Sequence, residues 1–321
     1  MSSPNKWIGI AEETTYGQKV TTPAKSLTYG TLDLNPDQGL IDVEESERII
    51  AQVVTGPFKG GGSLGLYARP DTIGHFLKWV MGAVTSAQQG GTAAYKHTFS
   101  FADTVKSFTL SDNERLSALD SRILMGCLIK SLTLEAPARE LVTLDLDLLY
   151  AWEDLETKPT KGTLSALRPF VFHDLSLLKV GTTDFTAESF SFKIDNDIPD
   201  DTHDLGSRKL TEILLGGCDI SGEFELKFKN WDWRKRFYGA AAATEPQEEL
   251  TLQQLEITLT GEATGVPTYP NYYIHIVLPK CAIKEHAASA SKREILKQTF
   301  AFSAYKDAGN IIELLNKDTS Y

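Results

Sequence analysis

Cysteine is scarce in this chain of 321 residues: there are three, none spaced as Cys-x-x-Cys. That excludes a disulfide framework and the zinc sites built on paired thiolates, and it fits thiols buried in a reducing compartment. Positive charge is also short, with Lys+Arg 32 against Asp+Glu 43 and a formal net charge of −11. A surface that grips nucleic acid needs clustered Lys and Arg, so a DNA-gripping protein is excluded, while a surface past which DNA slides is not. No apolar run approaches the roughly 20 residues of a membrane helix. The opening Met1-Ser2-Ser3-Pro4-Asn5-Lys6-Trp7 lacks the apolar core of a signal peptide. Folding in a cytoplasm, with no membrane contact, is the expectation.

Motifs for chemistry are equally thin. Histidines 75, 97, 173, 275 and 286 show no His-x-x-x-His spacing, and there is no Gly-x-Ser-x-Gly elbow. Gly60-Gly61-Gly62-Ser63-Leu64-Gly65 matches G-x-G-x-x-G in form, but Leu64-Gly65-Leu66-Tyr67 continues as strand where a dinucleotide site requires a helix. Asp195 to Asp204, with His203, offers hard oxygens and one imidazole but lacks the glycine and closing glutamate of a calcium loop. The expectation is no catalytic, cofactor or metal residue.

What the sequence does have is repetition. Cys127-Leu128-Ile129-Lys130, a polar turn holding Arg139-Glu140, and the alternating Leu144-Asp145-Leu146-Asp147-Leu148 return as Cys281-Ala282-Ile283-Lys284, Arg293-Glu294 and Thr299-Phe300-Ala301-Phe302. A second block aligns without a gap from Leu32 to Leu66. Leu32 and Leu34 meet Phe192 and Ile194, Asp37 meets Asp197, Arg48 meets Arg208, and Gly56 and Gly62 meet Gly216 and Gly222. Each copy carries one helix: Asp71 as cap followed by Ile73, Phe76, Leu77, Val80 and Met81, and Asn230 as cap followed by Trp233, Phe237, Ala240 and Ala241. The remainder reads as strands. The fold class is therefore mainly β, two tandem copies of a sandwich- or barrel-like domain with one helix each. Residues 1–155 form the first, opening on a polar arm of about 25 residues; 156–168 are the linker and 169–321 the second.

Two kinds of segment stand out as contacts. A long acidic loop falls at the same place in both copies, Asn35 to Glu47 and Asp195 to Ser207, and loops of that length usually carry function. Its candidates are Asp37, Asp42, Glu44, Glu45 and Arg48 in the first copy, and Asp197, Asp200, Asp201, Asp204 and Arg208 in the second. The repeated turns supply Arg139, Glu140, Arg293 and Glu294 as a subunit contact used twice.

The opening Gly9-Ile10-Ala11-Glu12-Glu13-Thr14-Thr15-Tyr16-Gly17 resembles the "E-x-T-x-Y-G" start of the tail tube (major tail) proteins of long, flexible-tailed bacteriophages. The order of strands, acidic loop, Gly-rich strand, helix and closing hairpin is similar too, as is the strand around Gly309 to Leu315. Many members of that family carry one tube domain and assemble six to a ring, so the resemblance implies three two-domain chains to a pseudo-hexameric ring. It further implies rings stacked through the long loops and the arm, a tape measure protein in the lumen, tail terminator and tip proteins at the ends, and DNA passing the bore unbound. The setting implied is a virion tail assembled in the host cytoplasm. The alternative from another class is a soluble carbohydrate- or receptor-binding β-sandwich, with Trp231, Trp233, Tyr272 and Tyr273 as its aromatic platform.

Overall fold

The computed structural model describes residues 6–44, 49–50, 52–113, 121–289 and 296–321. In the first half the elements are β1 (Trp7–Glu12), β2 (Lys25–Leu27), β3 (Thr31–Leu34), β4 (Leu40–Val43), β5 (Gln52–Thr55), β6 (Gly60–Tyr67) and α1 (Ile73–Met81). They continue with β7 (Gly82–Gln88), β8 (Tyr95–Phe101), β9 (Phe108–Asn113), β10 (Ser121–Ala136), β11 (Thr143–Tyr150) and β12 (Trp152–Glu156). The second half comprises β13 (Leu175–Val180), β14 (Thr183–Asp184), β15 (Ser189–Asp195), β16 (Asp219–Lys227) and α2 (Asp232–Phe237). It ends with β17 (Gln253–Val266), β18 (Tyr269–Ser289), β19 (Lys297–Ala304) and β20 (Ile311–Asn316). Mainly β, with two short helices, is the fold. Among the described residues no helix is long and apolar enough to cross a membrane.

β10 organises the first half. Its N-terminal part pairs β9 on one side and β12 on the other; its C-terminal part pairs β11 and β15. Between the two parts the register slips at Leu124/Cys127, and again at Ile129/Ser131. Such bulges twist a strand enough for it to leave one sheet and join another. One sheet therefore runs β2-β1-β9-β10-β12. A longer one runs β3-β6-β11-β10-β15-β16-β19-β18, crossing from the first half to the second at β10–β15. β18 plays the part of β10 in the second half, joining a third sheet, β14-β13-β17-β18-β20-β8-β7. Apolar faces of these sheets meet in one continuous core that spans both halves, from Ile8 and Phe108 to Phe300 and Leu314. Each large side chain buried there contributes about 2–3 kcal/mol.

The registers of the two halves correspond in detail. Leu132 faces Leu146 across β10–β11, and His286 faces Phe300 across β18–β19, at the same spacing from the bulges at Ile129/Ser131 and Ile283/Glu285. Cys127 and Cys281 each direct the thiol to the carbonyl three residues back, Leu124 and Leu278, at 3.6 Å. Both thiols are buried, and burial raises both pKa values, that of Cys281 to about 12. They are packing residues.

Several expectations need correcting. The ungapped alignment fails at β3. Leu32 faces Leu64, but Phe190 faces Phe224, so Leu32 corresponds to Phe190 and Leu34 to Phe192, two residues from the expected partners. The backbone agrees: Gly30 N–H bonds Gly65 O as Glu188 N–H bonds Glu225 O. A register slip of two keeps every side chain on the same face, which is why the apolar pattern could not reveal it.

From Trp7 to Glu12, the expected arm is instead a core strand; Met1 to Asn5 lie outside the described residues. β1 is buried along its length between β2 and β9, and Ile8, Ile10 and Ala11 lie in the core. Its counterpart is β13, where Val180 faces Leu255 as Ile10 faces Leu110. A tight turn at Gly181 follows β13, whereas residues 13–24 intervene after β1. The polar residues of that insertion masked the strand before it.

The first helix begins one residue later than expected, with Thr72 at the N-cap and no capping side chain. Asp71 instead accepts from Ser165 Oγ at 2.7 Å and lies 3.5 Å from Lys25 Nζ. Gly82, at φ 94°, ends the helix. The second helix is shorter than its apolar stripe suggested. Trp231 is its N-cap, it stops at Phe237, and Ala240 and Ala241 lie beyond it. Asn230 still accepts from Asp232 N–H at 3.1 Å. The first acidic loop holds a hairpin, since β4 pairs β5 from Leu40↔Thr55 to Val43↔Gln52.

Candidate functional site

In the long sheet successive residues alternate between the core and the opposite face. On β11 the burial runs in register with sequence: Leu144, Leu146 and Leu148 are buried and Asp145 and Asp147 exposed. The pairings align the outer residues of all eight strands into rows, Asp33–Ser63–Asp147–Ser131–Asp195 and Ser191–Glu223–Ala301–Glu285 among them. This face carries hydroxyls, glycines and the carboxylates of Asp33, Glu135, Asp145, Asp147, Asp195, Glu223, Glu225 and Glu285. Lysines at the regular strand positions, Lys193, Lys227 and Lys297, each stand beside an acid, and Lys130, at the β10 bulge, adds its charge near Asp195. Lys193 is 2.6 Å from Asp195, Lys227 is 3.5 Å from Glu188, and Lys297 contacts both Glu225 and Glu188. The hydrogen bond from Lys193 lowers the Asp195 pKa, whereas partial burial raises that of Asp145. The result is a broad, polar, net acidic surface.

Both ends of this sheet are open among the described residues. Among the described residues β3 pairs only β6, and β18 from Ala282 onward pairs only β19. Unpaired edges of that kind seek strands from other chains.

A family model described as phage tail tube protein matches residues 6–304. The chain belongs to that family. No curated protein matches it. Membership makes it a structural component of a virion tail that assembles with copies of itself into a tube.

The motif that carried the resemblance proves to be a buried clamp in this tail tube protein. The Glu13 carboxylate accepts from Gly17 N–H at 2.9 Å, Ser107 Oγ at 2.7 Å, Thr109 Oγ1 at 2.8 Å and Gly126 N–H at 2.9 Å. Four donors satisfy a carboxylate that would otherwise be costly to bury. Tyr16 packs over Gly126, whose φ of 65° suits glycine, and burial raises the Tyr16 hydroxyl pKa above the ordinary phenol range. Glu12 beside it accepts from Trp79 Nε1 at 3.1 Å and Lys78 Nζ at 2.5 Å, tying β1 to α1. Glu13 was missed as a structural residue because one acid among several polar neighbours carries no signal of burial.

The loop candidates of the tail tube protein divide into two groups. In the first half Asp37 forms a bridge with Lys59 and caps Gly39 N–H at 2.9 Å, while Asp42 and Glu44 are exposed; Glu45 and Arg48 lie outside the described residues. In the second half the segment after β15 folds back over the first half. Arg208 donates to Gly56 O at 2.7 Å and to Gln38 Oε1 at 2.8 Å, His203 Nε2 meets Phe58 O at 3.0 Å, and Asp200 is 4.0 Å from Lys59. Asp197 has φ 32°, at the position where the first half has Gly39, while Asp201 and Asp204 accept backbone N–H groups of their own loop. Arg139 (φ 69°) and Glu140 are exposed on the β10–β11 turn, where Phe172 N–H bonds Glu140 O; Arg293 and Glu294 lie outside the described residues.

Among the described residues no group of three or more His, Cys, Asp or Glu is placed to hold a metal. The Gly60–Gly65 run lies within strand β6. Trp233 and Tyr272 are buried, so only Trp231 of that set is strongly exposed, packed edge-on to Phe228 at 4.9 Å. No aromatic platform forms from these residues.

Proposed function

We propose that this chain is the repeating unit of a siphophage tail tube, with two tube domains in tandem (1–155 and 169–321) and three chains to a pseudo-hexameric ring. The observation that carries the reading is the eight-stranded sheet, acidic on its outer face and, among the described residues, unpaired at both ends. A heterologous, head-to-tail contact between such edges generates a ring when the rotation closes. Continued round the ring, the sheet becomes a barrel whose polar face lines the bore. Phosphate backbones meet carboxylates there instead of clustered Lys and Arg, so DNA is not held by the counterion release that drives binding elsewhere. The tape measure protein occupies that lumen before ejection, terminator and tip proteins cap the stack, and assembly takes place in the host cytoplasm. The matching registers of the two halves support the tandem reading. The role is that of a conduit and needs no catalysis.

Negative-stain electron microscopy of the purified chain over a concentration series, paired with a solution mass, tests this. Stacked rings or hollow tubes whose repeat mass equals three chains are expected. Rings of six chains, or a species that stays monomeric when supplied with the tail tip, overturn it.

A further inference from the structure

The join between the two halves is a complete interface that happens to lie inside one chain. β10 pairs β15 with Thr133 opposite Lys193 and Ser131 opposite Asp195, and Asn196 N–H extends the ladder to Lys130 O. The segment after β15 then lies on the first half, where Ile198 and Leu210 pack with Val105, Leu128, Leu149 and Ala151. The same parts recur at the outer ends without their partners. β3, the counterpart of β15, has an open edge. Leu40 and Ile50 are 62% and 51% exposed, whereas their counterparts Ile198 and Leu210 are 3% and 4% exposed. The loop bases are alike: a side chain at Gly56 would run into Gly39 O, as one at Gly216 would run into Asp197 O. On the other flank Leu250 and Tyr305, at the positions of Val105 and Ala151, are 49% and 44% exposed.

We infer that the seam between neighbouring copies of this chain in a ring repeats the join inside it. The edge of β3 in one copy pairs β18 of the next, with Asn35 opposite Ala287 and Asp37 opposite Glu285. The β4–β5 hairpin of the first copy then covers Leu250 and Tyr305 of the second. The inference rests on the ring reading above for the existence of the contact and on the internal join for its register. It assigns the hairpin to a sideways contact within a ring, where the sequence resemblance implied a contact between rings. Pro36 falls on the open edge and has no N–H to offer. Its seam therefore has one bond fewer than the internal join, and the free edge is poorer at pairing unspecifically. Asp37 and Glu285 are like charges directly across the ladder, and Lys284, the counterpart of the Lys130 whose charge lowers Asp195 at the internal join, falls beside them.

The test is a pair of cysteines in the full chain with Cys218→Ser, the exposed native thiol removed. Asn35→Cys with Ala287→Cys occupies a non-hydrogen-bonded pair, where facing side chains come closest. After oxidation under assembly conditions, a ladder on a non-reducing gel that ends at three chains is expected, since a closed ring has no fourth seam. Asn35→Cys with Glu285→Cys, out of register, should stay at background. Tubes in the micrographs without cross-links above that control overturn the seam and leave the tube reading intact. A ladder running past three chains also overturns it, by showing a contact between rings. Absence of rings, tubes and cross-links together overturns the tube reading and the seam with it. A second variant, Leu40→Asp with Ile50→Asp, should lose ring assembly with an unchanged unfolding midpoint; assembly at the wild-type level removes the hairpin from the seam.

Discussion

In the first half α1 sinks Ile73, Phe76, Leu77, Trp79, Val80 and Met81 into the core; in the second, α2 runs six residues and buries only Trp233. The short helix is offset by an aromatic cluster, in which Trp233 stacks on Phe300 at 4.3 Å and Phe185 meets both Trp233 and Phe224 edge-on. After β1 the chain folds twelve residues around Glu13, whereas after β13 it turns at Gly181. The sheets keep their registers throughout. What differs is the covering on the side away from the acidic face and the added strands, β7 and β8 beyond β20 and the β4–β5 hairpin of the first half, so the two halves share a frame and vary what is built on it.

Removing the central tryptophan on each side should separate the two halves most. Trp79→Ala should cost about 3–5 kcal/mol, because it empties a fully enclosed site and takes from Glu12 one of its two partners, leaving Lys78. Trp233→Ala should cost less and melt α2 locally, as seen in urea unfolding combined with hydrogen exchange. Equal losses, both global, would remove the contrast.

Glu13→Ala should cost about 3 kcal/mol, since it leaves four donors without an acceptor; Glu13→Gln should keep part of this. The second half has a tight turn in place of this clamp, so the loss should appear first as increased exchange around residues 13–24 and 107–109.

The two helices should also differ in their response to pH. Burial, with Lys25 and Lys78 nearby, depresses His75 to about 4 from the ordinary 6.5. The unfolded chain therefore binds a proton first as pH falls. The stability from neutral His75 is complete above pH 6.5 and declines towards pH 4, by about 2 kcal/mol at pH 5. His75→Asn should flatten that decline, and His97 and His286, also lowered by burial, leave a smaller slope of the same sign. The smallest effect belongs to the exposed turn. Arg139→Gly and Glu140→Ala should each change stability by no more than about 0.5 kcal/mol. A slowed assembly rate in either variant would place that turn in a subunit contact.

Much of this frame was legible because two-residue periodicity survives repetition. Cys127/Cys281 and Leu146/Phe300 marked equivalent strands before any pairing was known. The acidic face was half visible in Leu144-Asp145-Leu146-Asp147-Leu148, and applying the same alternation to β15 and β16 would have found Asp195, Glu223 and Glu225. The slip at β3 was invisible, because a shift by two preserves the pattern. β1 was hidden because the polar insertion behind it belongs to only one half. Glu13 could not be read either, since a buried carboxylate is defined by donors at 107, 109 and 126 that only folding brings to it.

One pairing sets a timetable. β8, at residues 95–101, has β20, at residues 311–316, as its partner, joined by Lys96–Glu313 at 2.8 Å and by His97 to Asn316 at 2.9 Å. That partner is synthesised some two hundred residues after β8, so the first half leaves the ribosome with a strand it cannot yet close. Contacts so distant in sequence form late and slowly. The strand that closes β8 is therefore missing from the nascent chain until residue 316 has been made, so the third sheet is the last to take its final shape.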